Sequence, residues 1–432
     1  VRQRRLHGFQ VCGFQVCGFQ VCGFQEGSLA VISAAMPTYA RTDLAFERGE
    51  GPYLFATDGR RYLDFASGIA VTALGHAHPH LVQALTEQAK KLWHVSNLWR
   101  IPGQERLAER LVAASFADSV FFANSGAEAI ECGLKLVRKY HDETGNEGRF
   151  RVITVEGAFH GRTLATIAAG RQAKHLKGFD PVVDGFDQVA FGNLNEMRAA
   201  IGPATGAILV EPVQGEGGMR AHSAEYLRAL RAIADEYGLL LFFDEVQCGM
   251  GRTGKLFAHE WAGVEPDILA TAKGIGGGFP MGACLAKEKV AATLTVGSHG
   301  STFGGNPLAM AVGNAVLDVM LGDGFLDRVV ARAAALREGL QDLVRRHPRI
   351  FGEVRGMGLL IGLKCVVPNT DMMAALRRAG LLTVTAGDNV LRILPPLIVE
   401  QRHVDEALAV LEKVCSAWPA AGESQTAGAA AR

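Results

Sequence analysis

The sequence predicts an α/β fold: a large domain built on a mainly parallel sheet, followed by a smaller α+β domain. Three observations carry this. Short apolar runs alternate with amphipathic helical stretches from about residue 120 to 243, the pattern of a parallel sheet with helices on both faces. Two apolar runs, 239–243 and 268–270, are followed closely by a charged residue, Asp244 and Lys273. Open α/β sheets bind ligands beyond the carboxyl ends of their strands. From about Val316 the alternation gives way to two long helical stretches flanking strand-like runs.

Composition sets the bounds. A chain of 432 residues is too long for one simple core. Its 44 Lys and Arg balance 44 Asp and Glu, which excludes a general attraction to nucleic acid or anionic membrane. No run reaches the ~18 apolar residues of a membrane span. Of eight cysteines, three lie in a short repeat, and Cys132, Cys248, Cys284, Cys365 and Cys415 are scattered without metal or disulfide spacing. That usage fits a reducing cytoplasm.

The elements follow in order. Residues 8–25 repeat VCGFQ with a five-residue period that matches no solenoid or heptad. We expect 1–35 to be a disordered leader outside the fold, with Met36 heading the first folded segment. Arg2, Arg4 and Arg5 suggest targeting, but recurrent glutamines break any apolar core. Residues 36–75 are expected to pack with the small domain, and within them 52–64 read as a hairpin turning at Asp58-Gly59. Pro79 opens a helix with Leu81, Val82, Leu85, Ala89 and Leu92 as its apolar face. Residues 120–122 are a strand, and Ser125 starts a helix carrying Ile130, Leu134 and Val137 on one side. Strands at 151–155, 207–210 and 239–243 follow, with a helix at 224–237 stopped by Gly238. Asn306 and Pro307 are the cap and first residue of another helix. The large domain is thus 76–315. Helical stretches at 326–346 and 400–417, with strands at 358–364 and 390–394, make a small domain at 316–417. The Ala/Gly/Ser/Gln-rich tail, 418–432, is expected to be disordered.

The chemistry-bearing segments sit after strands. Ser125-Gly-Ala-Glu128 is a capping box, and the amides of Gly126 and Ala127 suit a phosphate at a helix N-terminus. Phe159 is placed to stack on a flat ring or to fill a core. Arg162, between Gly161 and Thr163, suits a carboxylate fork or a surface ion pair. Asp244 reads as a helix cap or as the partner of a pyridine nitrogen, with Gln247 within reach of a ring hydroxyl. Lys273, among small residues and before a glycine run, is unlike a surface lysine, and burial would lower its pKa. A Schiff-base lysine with such a carboxylate is the minimal protein equipment for pyridoxal phosphate. Glu216 lies in a flexible turn, and Ser301 and Thr302 offer hydroxyls for phosphate or carboxylate or for an ST-turn. The histidines at 76, 78 and 80 have no partner cluster with metal-ligand spacing.

Together GIAVTALGHAHPHLVQAL, FFANSGAEAIE, FHGRT, EPVQGEGG, FFDEVQCGMGRTG, AKGIGGGFPMGA, GSHGSTFGGNPLA and RGMGLLIG resemble the class III, fold type I aminotransferases, and within them the acetylornithine subgroup. The resemblance runs from about Met36 to Ala417. It implies a large domain with a mainly parallel, seven-stranded-type sheet, a smaller α+β domain, and pyridoxal 5'-phosphate as cofactor. It implies that Lys273 forms the Schiff base and moves the proton, and that Asp244 pairs with the ring nitrogen. Phe159 and Val246 would sandwich the ring, Gln247 would contact its hydroxyl, and Gly126 and Ala127 would bind phosphate. Thr302 would reach the cofactor of the other subunit in a cytoplasmic homodimer with shared sites. Arg162 and Ser301 would hold acetylornithine. Arg392 would hold the α-carboxylate of glutamate or 2-oxoglutarate, with Glu216 masking it for the other substrate. Ala127 departs from the Thr or Ser of many relatives. Succinyldiaminopimelate, succinylornithine or ornithine stay open as substrates. An aminomutase, a decarboxylase or a non-catalytic binding protein are the other classes weighed.

Overall fold

The computed structural model describes residues 34–419. The expectations for the pentapeptide repeat and for the tail beyond 419 lie outside those residues. Residues 34–44 form a unit of their own, with local turns such as Thr38 N to Met36 O at 2.8 Å.

From residue 45 the chain opens with three antiparallel strands, β1 (Phe46–Glu50), β2 (Tyr53–Ala56) and β3 (Arg61–Asp64). The hairpin turns at Asp58-Gly59, where Gly59 has φ +84°, a conformation glycine adopts without steric cost. The strands that follow are β4 (Ser119–Ala123), β5 (Arg151–Val155), β6 (Phe186–Val189), β7 (Thr205–Val210), β8 (Val213–Gln214), β9 (Arg220–Ala221), β10 (Leu240–Asp244), β11 (Ile268–Ala272) and β12 (Gly282–Ala286). Seven of them form one sheet in the order β4-β12-β11-β10-β7-β5-β6. Only β12 runs against its neighbours, so the sheet is mainly parallel, as expected.

Its two faces are read directly from alternate residues. Phe242, Ile268 and Cys284 pack against Ile130, Leu134 and Val137 of the helix Gly126–Glu143. Leu241 and Phe243 pack against Leu227, Leu230 and Ile233 of the helix Ala224–Tyr237. Both helix ends have local causes. Ser223 accepts the Tyr226 amide, and Gly238 closes the helix at φ +64°.

One face is narrower than expected. The helix Pro79–Ala89 buries Leu81 and half-buries Leu85 against Pro307–Met320. Val82, one step of ~100° around the helix, is 48% exposed, and Leu92 lies beyond the helix end.

The C-terminal region holds β13 (Phe351–Met357), β14 (Leu360–Cys365), β15 (Leu381–Leu382), β16 (Val384–Ala386) and β17 (Val390–Ile393). Four make an antiparallel sheet, β13-β14-β17-β16, while β15 joins β3 in parallel. The loop after β10 seats this sheet. Buried Arg252 donates to the carbonyls of Leu359 and Pro395, and its own carbonyl accepts the Leu359 amide at 2.9 Å. That docking brings β17 beside the end of β10. Among the described residues no single helix is long and apolar enough to cross a membrane, and the one pair that passes by length and composition is bent by 70°.

Candidate active site

A cavity of about 350 Å³ opens at the carboxyl ends of β4, β5, β7, β10 and β11. Gly126, Ala127, Phe159, Glu216, Asp244, Val246, Gln247 and Lys273 all line it. They come from segments spread over nearly 150 residues, each fixed by where a strand ends.

Asp244 is the last residue of β10 and 3% exposed. Its Oδ2 meets His160 Nδ1 at 2.8 Å, and its Oδ1 accepts the Val246 amide at 3.0 Å. The adjacent acid, Glu245, does the structural capping: it accepts the His259 amide at 2.9 Å and meets His259 Nδ1 at 2.8 Å. Burial opposes a charge on His160, but the bond to Asp244 and the charges of Asp244 and Glu211 hold its pKa above the ordinary value.

Lys273 follows β11 at the start of the tight turn Lys273–Gly276, with φ +51°. A left-handed non-glycine residue is strained. The chain is tightly packed at the next residue, where a Cβ on Gly274 would lie 2.9 Å from that of Met250. Burial lowers the Lys273 pKa; Glu216, Asp244 and Glu211 oppose the shift and Arg392 adds to it. The expected direction is the one found.

The helix Gly126–Glu143 points its N-terminus at the cavity. Ser125 accepts the Glu128 amide at 3.2 Å, while the Glu128 carboxylate turns back to the Asn124 amide. The amides of Gly126 and Ala127 have no intrahelical acceptor and face the cavity with the positive end of the helix dipole. A Cβ on Gly126 would lie 2.6 Å from Val246 Cγ1, so the backbone approaches the wall where only glycine fits.

Arg392, mid-strand in β17, is 2% exposed. Its guanidinium pairs with Glu216, donates to Thr385 O at 2.8 Å and reaches Gln247 Oε1 at 3.4 Å. Among the described residues its Nε has no partner. Arg392 thus stands behind two cavity-lining side chains.

Three anticipated residues are not brought to this cavity. Arg162 is exposed, its guanidinium 5.4 Å from the centroid of the Phe159 ring. Ser301 and Thr302 border a separate hollow with Glu131 and His299. Ser301 Oγ accepts the Gly304 amide at 2.9 Å and meets Asn124 Nδ2 at 3.3 Å. Asn124 borders both spaces. His76 and His80 pair with Asp64 and Asp318, and among the described residues no cluster could hold a metal ion.

Two residues escaped the sequence reading. His160 lies between two residues that were singled out, and its bond to Asp244 spans 84 positions. Glu211 follows the apolar run of β7 as Asp244 closes that of β10; the rule that found one carboxylate applies equally to the other.

The chemistry of the lining suits a phosphorylated pyridine aldehyde. Helix amides offer a phosphate seat, Phe159 and Val246 are apolar walls, a supported carboxylate is present, and a lysine has a lowered pKa. The chain belongs to the class-III aminotransferases, whose family model matches residues 35–415. It is 62% identical to the acetylornithine aminotransferase of Brucella melitensis biotype 1 over 375 residues, 87% of this chain and 93% of that protein. In structure it is similar to the N-acetylornithine aminotransferase from Stenotrophomonas maltophilia K279a (TM-score 0.77, 38% identity, 88% of this chain and 97% of that one). It is also similar to the ornithine aminotransferase from Toxoplasma gondii (TM-score 0.85, 29% identity, 88% and 92%), which has pyridoxal phosphate at partial occupancy in its active site.

Proposed function

We propose that this chain is a pyridoxal phosphate-dependent transaminase. It would transfer the δ-amine of N2-acetyl-L-ornithine to 2-oxoglutarate, giving N-acetyl-L-glutamate 5-semialdehyde and L-glutamate, a step of arginine biosynthesis. The observation that carries the two-substrate reading is the buried Arg392 held by Glu216 at the cavity edge. An arginine masked for one substrate and free for the other lets one site accept a δ-amine and an α-amine in turn.

Bound pyridoxal phosphate supplies the carbonyl that receives the amine and the ring that takes up the electron pair freed at the reacting carbon. Lys273 Nζ, with its lowered pKa, is an amine able to attack and then to take and return that carbon's proton. Asp244, braced on both oxygens, would keep a proton on the ring nitrogen. Gly126 and Ala127 would hold the phosphate, Phe159 and Val246 would flank the ring, and Gln247 would meet its hydroxyl. Arg392 grips the α-carboxylate of glutamate once Glu216 releases it. Arg162, beside the Phe159 ring, and Ser301, joined to the cavity-lining Asn124, would hold acetylornithine from outside the cavity.

Thr302, exposed and outside this cavity, would serve the cofactor of a second copy in a homodimer. That reading rests on the apolar surface beside it, where Trp93, Leu98, Trp99 and Phe303 are 60% exposed or more. Residues 76–315 and 316–417 are read as the two domains. The buried free thiols of Cys132, Cys248, Cys284, Cys365 and Cys415 fit a reducing cytoplasm.

The test is absorbance of the purified protein during addition of N-acetylornithine and then 2-oxoglutarate. The cofactor band should bleach and return. A band that answers glutamate but not N-acetylornithine would overturn the donor, and no band with added cofactor would overturn the class of chemistry. Arg162→Ala should raise the KM for N-acetylornithine far more than that for 2-oxoglutarate; an equal rise removes its role.

A further inference from the structure

Glu211 has no part in the chemistry above, yet it is a carboxylate buried to 5% exposure at the floor of the site. It is the first residue past β7. Its two oxygens serve two different loops. Oε1 accepts the amide of Phe159 at 2.8 Å, and Oε2 accepts the amide of Gly215 at 3.4 Å. Phe159 is a cavity wall, and Gly215 opens the turn whose next residue is Glu216.

That turn is closed within itself by two long bonds, the Gly218 and Met219 amides each reaching Gly215 O at 3.4 Å. It joins β8 to β9, runs Gly-Glu-Gly-Gly, and passes through left-handed backbone at Gly218 and Met219. Three glycines in four residues leave many conformations open, so the position of Glu216 is set by what holds the turn. On the outer side the Gly387 amide donates to Glu216 O at 2.9 Å. On the inner side Gly215 rests on Gln247, where a Cβ would fall 2.0 Å from Oε1. That same Oε1 is the atom Arg392 reaches. Glu211 supplies the inner hydrogen bond, in which a buried carboxyl oxygen accepts the Gly215 amide at 3.4 Å.

We propose that Glu211 is a positioning residue that holds the turn so that Glu216 stays on Arg392, and so sets how readily an incoming α-carboxylate displaces it. This rests on the two-substrate reading given above. Glu216 and the carboxylate of 2-oxoglutarate compete for one guanidinium. Loosening the turn weakens the competitor, and the KM for 2-oxoglutarate falls. N-acetylornithine, whose carboxylate is held elsewhere, gains nothing. A buried acid with a purely structural role would instead lower stability and affect both substrates alike.

The test is steady-state kinetics of the holoenzyme for wild type, Glu211→Gln, Glu216→Gln and the double variant. Glutamine keeps the shape but has one carbonyl oxygen for two amides. Glu211→Gln should lower the KM for 2-oxoglutarate about fivefold, the scale of one ordinary hydrogen bond, and leave that for N-acetylornithine in place. In the Glu216→Gln background the same change should do nothing to the KM for 2-oxoglutarate, because no mask remains to be loosened. Equal shifts for both substrates, or the same fall without Glu216, would overturn the proposal. Should Glu211→Gln not fold, Glu211→Asp keeps the charge, is too short to span both amides, and carries the same expectation. The readout is the KM for 2-oxoglutarate with any working amine donor. Wild-type failure on N-acetylornithine would therefore count against the substrate assignment alone.

Discussion

A methyl group on Gly126 would press the phosphate seat against the wall that faces it. In Gly126→Ala the new Cβ lies 2.6 Å from Val246 Cγ1 and 2.9 Å from Cγ2, where carbon atoms rest at about 3.5–4.0 Å. An overlap of roughly 1 Å must be relieved by one side. Val246 is tied through its amide to Asp244, and Gly126 is the first residue of a helix capped by Ser125. Neither moves freely. Overpacking of this kind costs about 1–3 kcal/mol. If the helix end yields, the phosphate amides leave their register and that cost falls on cofactor binding, about five- to 150-fold in affinity. Gly126 does not occupy left-handed backbone, so the effect is steric, and alanine's helix preference of up to about 1 kcal/mol works in the opposite direction. The assay is titration of the apo-protein with pyridoxal phosphate, alongside thermal melting. Cofactor affinity should fall at least about fivefold, with no gain in melting temperature. Unchanged affinity with a higher melting temperature would mean Val246 yields, and would refute the reasoning.

Lys273→Ala should keep the fold and lose turnover, and Lys273→Gly should melt higher than Lys273→Ala, because φ +51° costs a non-glycine residue roughly 1 kcal/mol; equal melting temperatures would deny the strain. Gly133→Ala should destabilise by about 1–3 kcal/mol or more, measured by denaturant midpoint, since its Cβ would lie 2.2 Å from the Phe242 ring; a stabilised variant would refute the close packing of helix on sheet. Burial, with Asp244 adding to it, pushes Glu211 up to about 7, although His160 and the amides of Phe159 and Gly215 oppose the shift. A carboxyl group raised above its unfolded value contributes stability that is full below about 4.5 and lost as pH rises to about 7. The stability of wild type minus that of Glu211→Gln should therefore fall between about pH 4.5 and 7; a flat difference would show that Glu211 titrates as an ordinary acid.

The elements that were legible in the sequence are those with local causes. The helix Ala224–Tyr237 was read to the residue, because its cap is a serine hydroxyl three positions from the amide it accepts and its stop is a glycine at positive φ. Asp244 and Lys273 stood out because each closely follows a buried strand, where a charge has no packing role. Distant bonds were not legible. His160 finds Asp244, and Glu211 joins Phe159 to Gly215, only after β5, β7 and β10 lie side by side.

By itself the sequence determined the mainly parallel sheet, the positions of the lysine and the carboxylate, and the phosphate-ready helix end. These follow from apolar periodicity and capping, which act within a few residues. The tertiary structure decided the rest. It set the reversed direction of β12 and the burial of Arg392 behind Glu216 and Gln247. It divided the acids so that Asp244 faces the cavity while Glu245 caps a turn. It also left Arg162, Ser301 and Thr302 outside the cavity. Direction, burial and partner choice depend on which strands meet and which loops dock on them, and that depends on the packing of the whole chain.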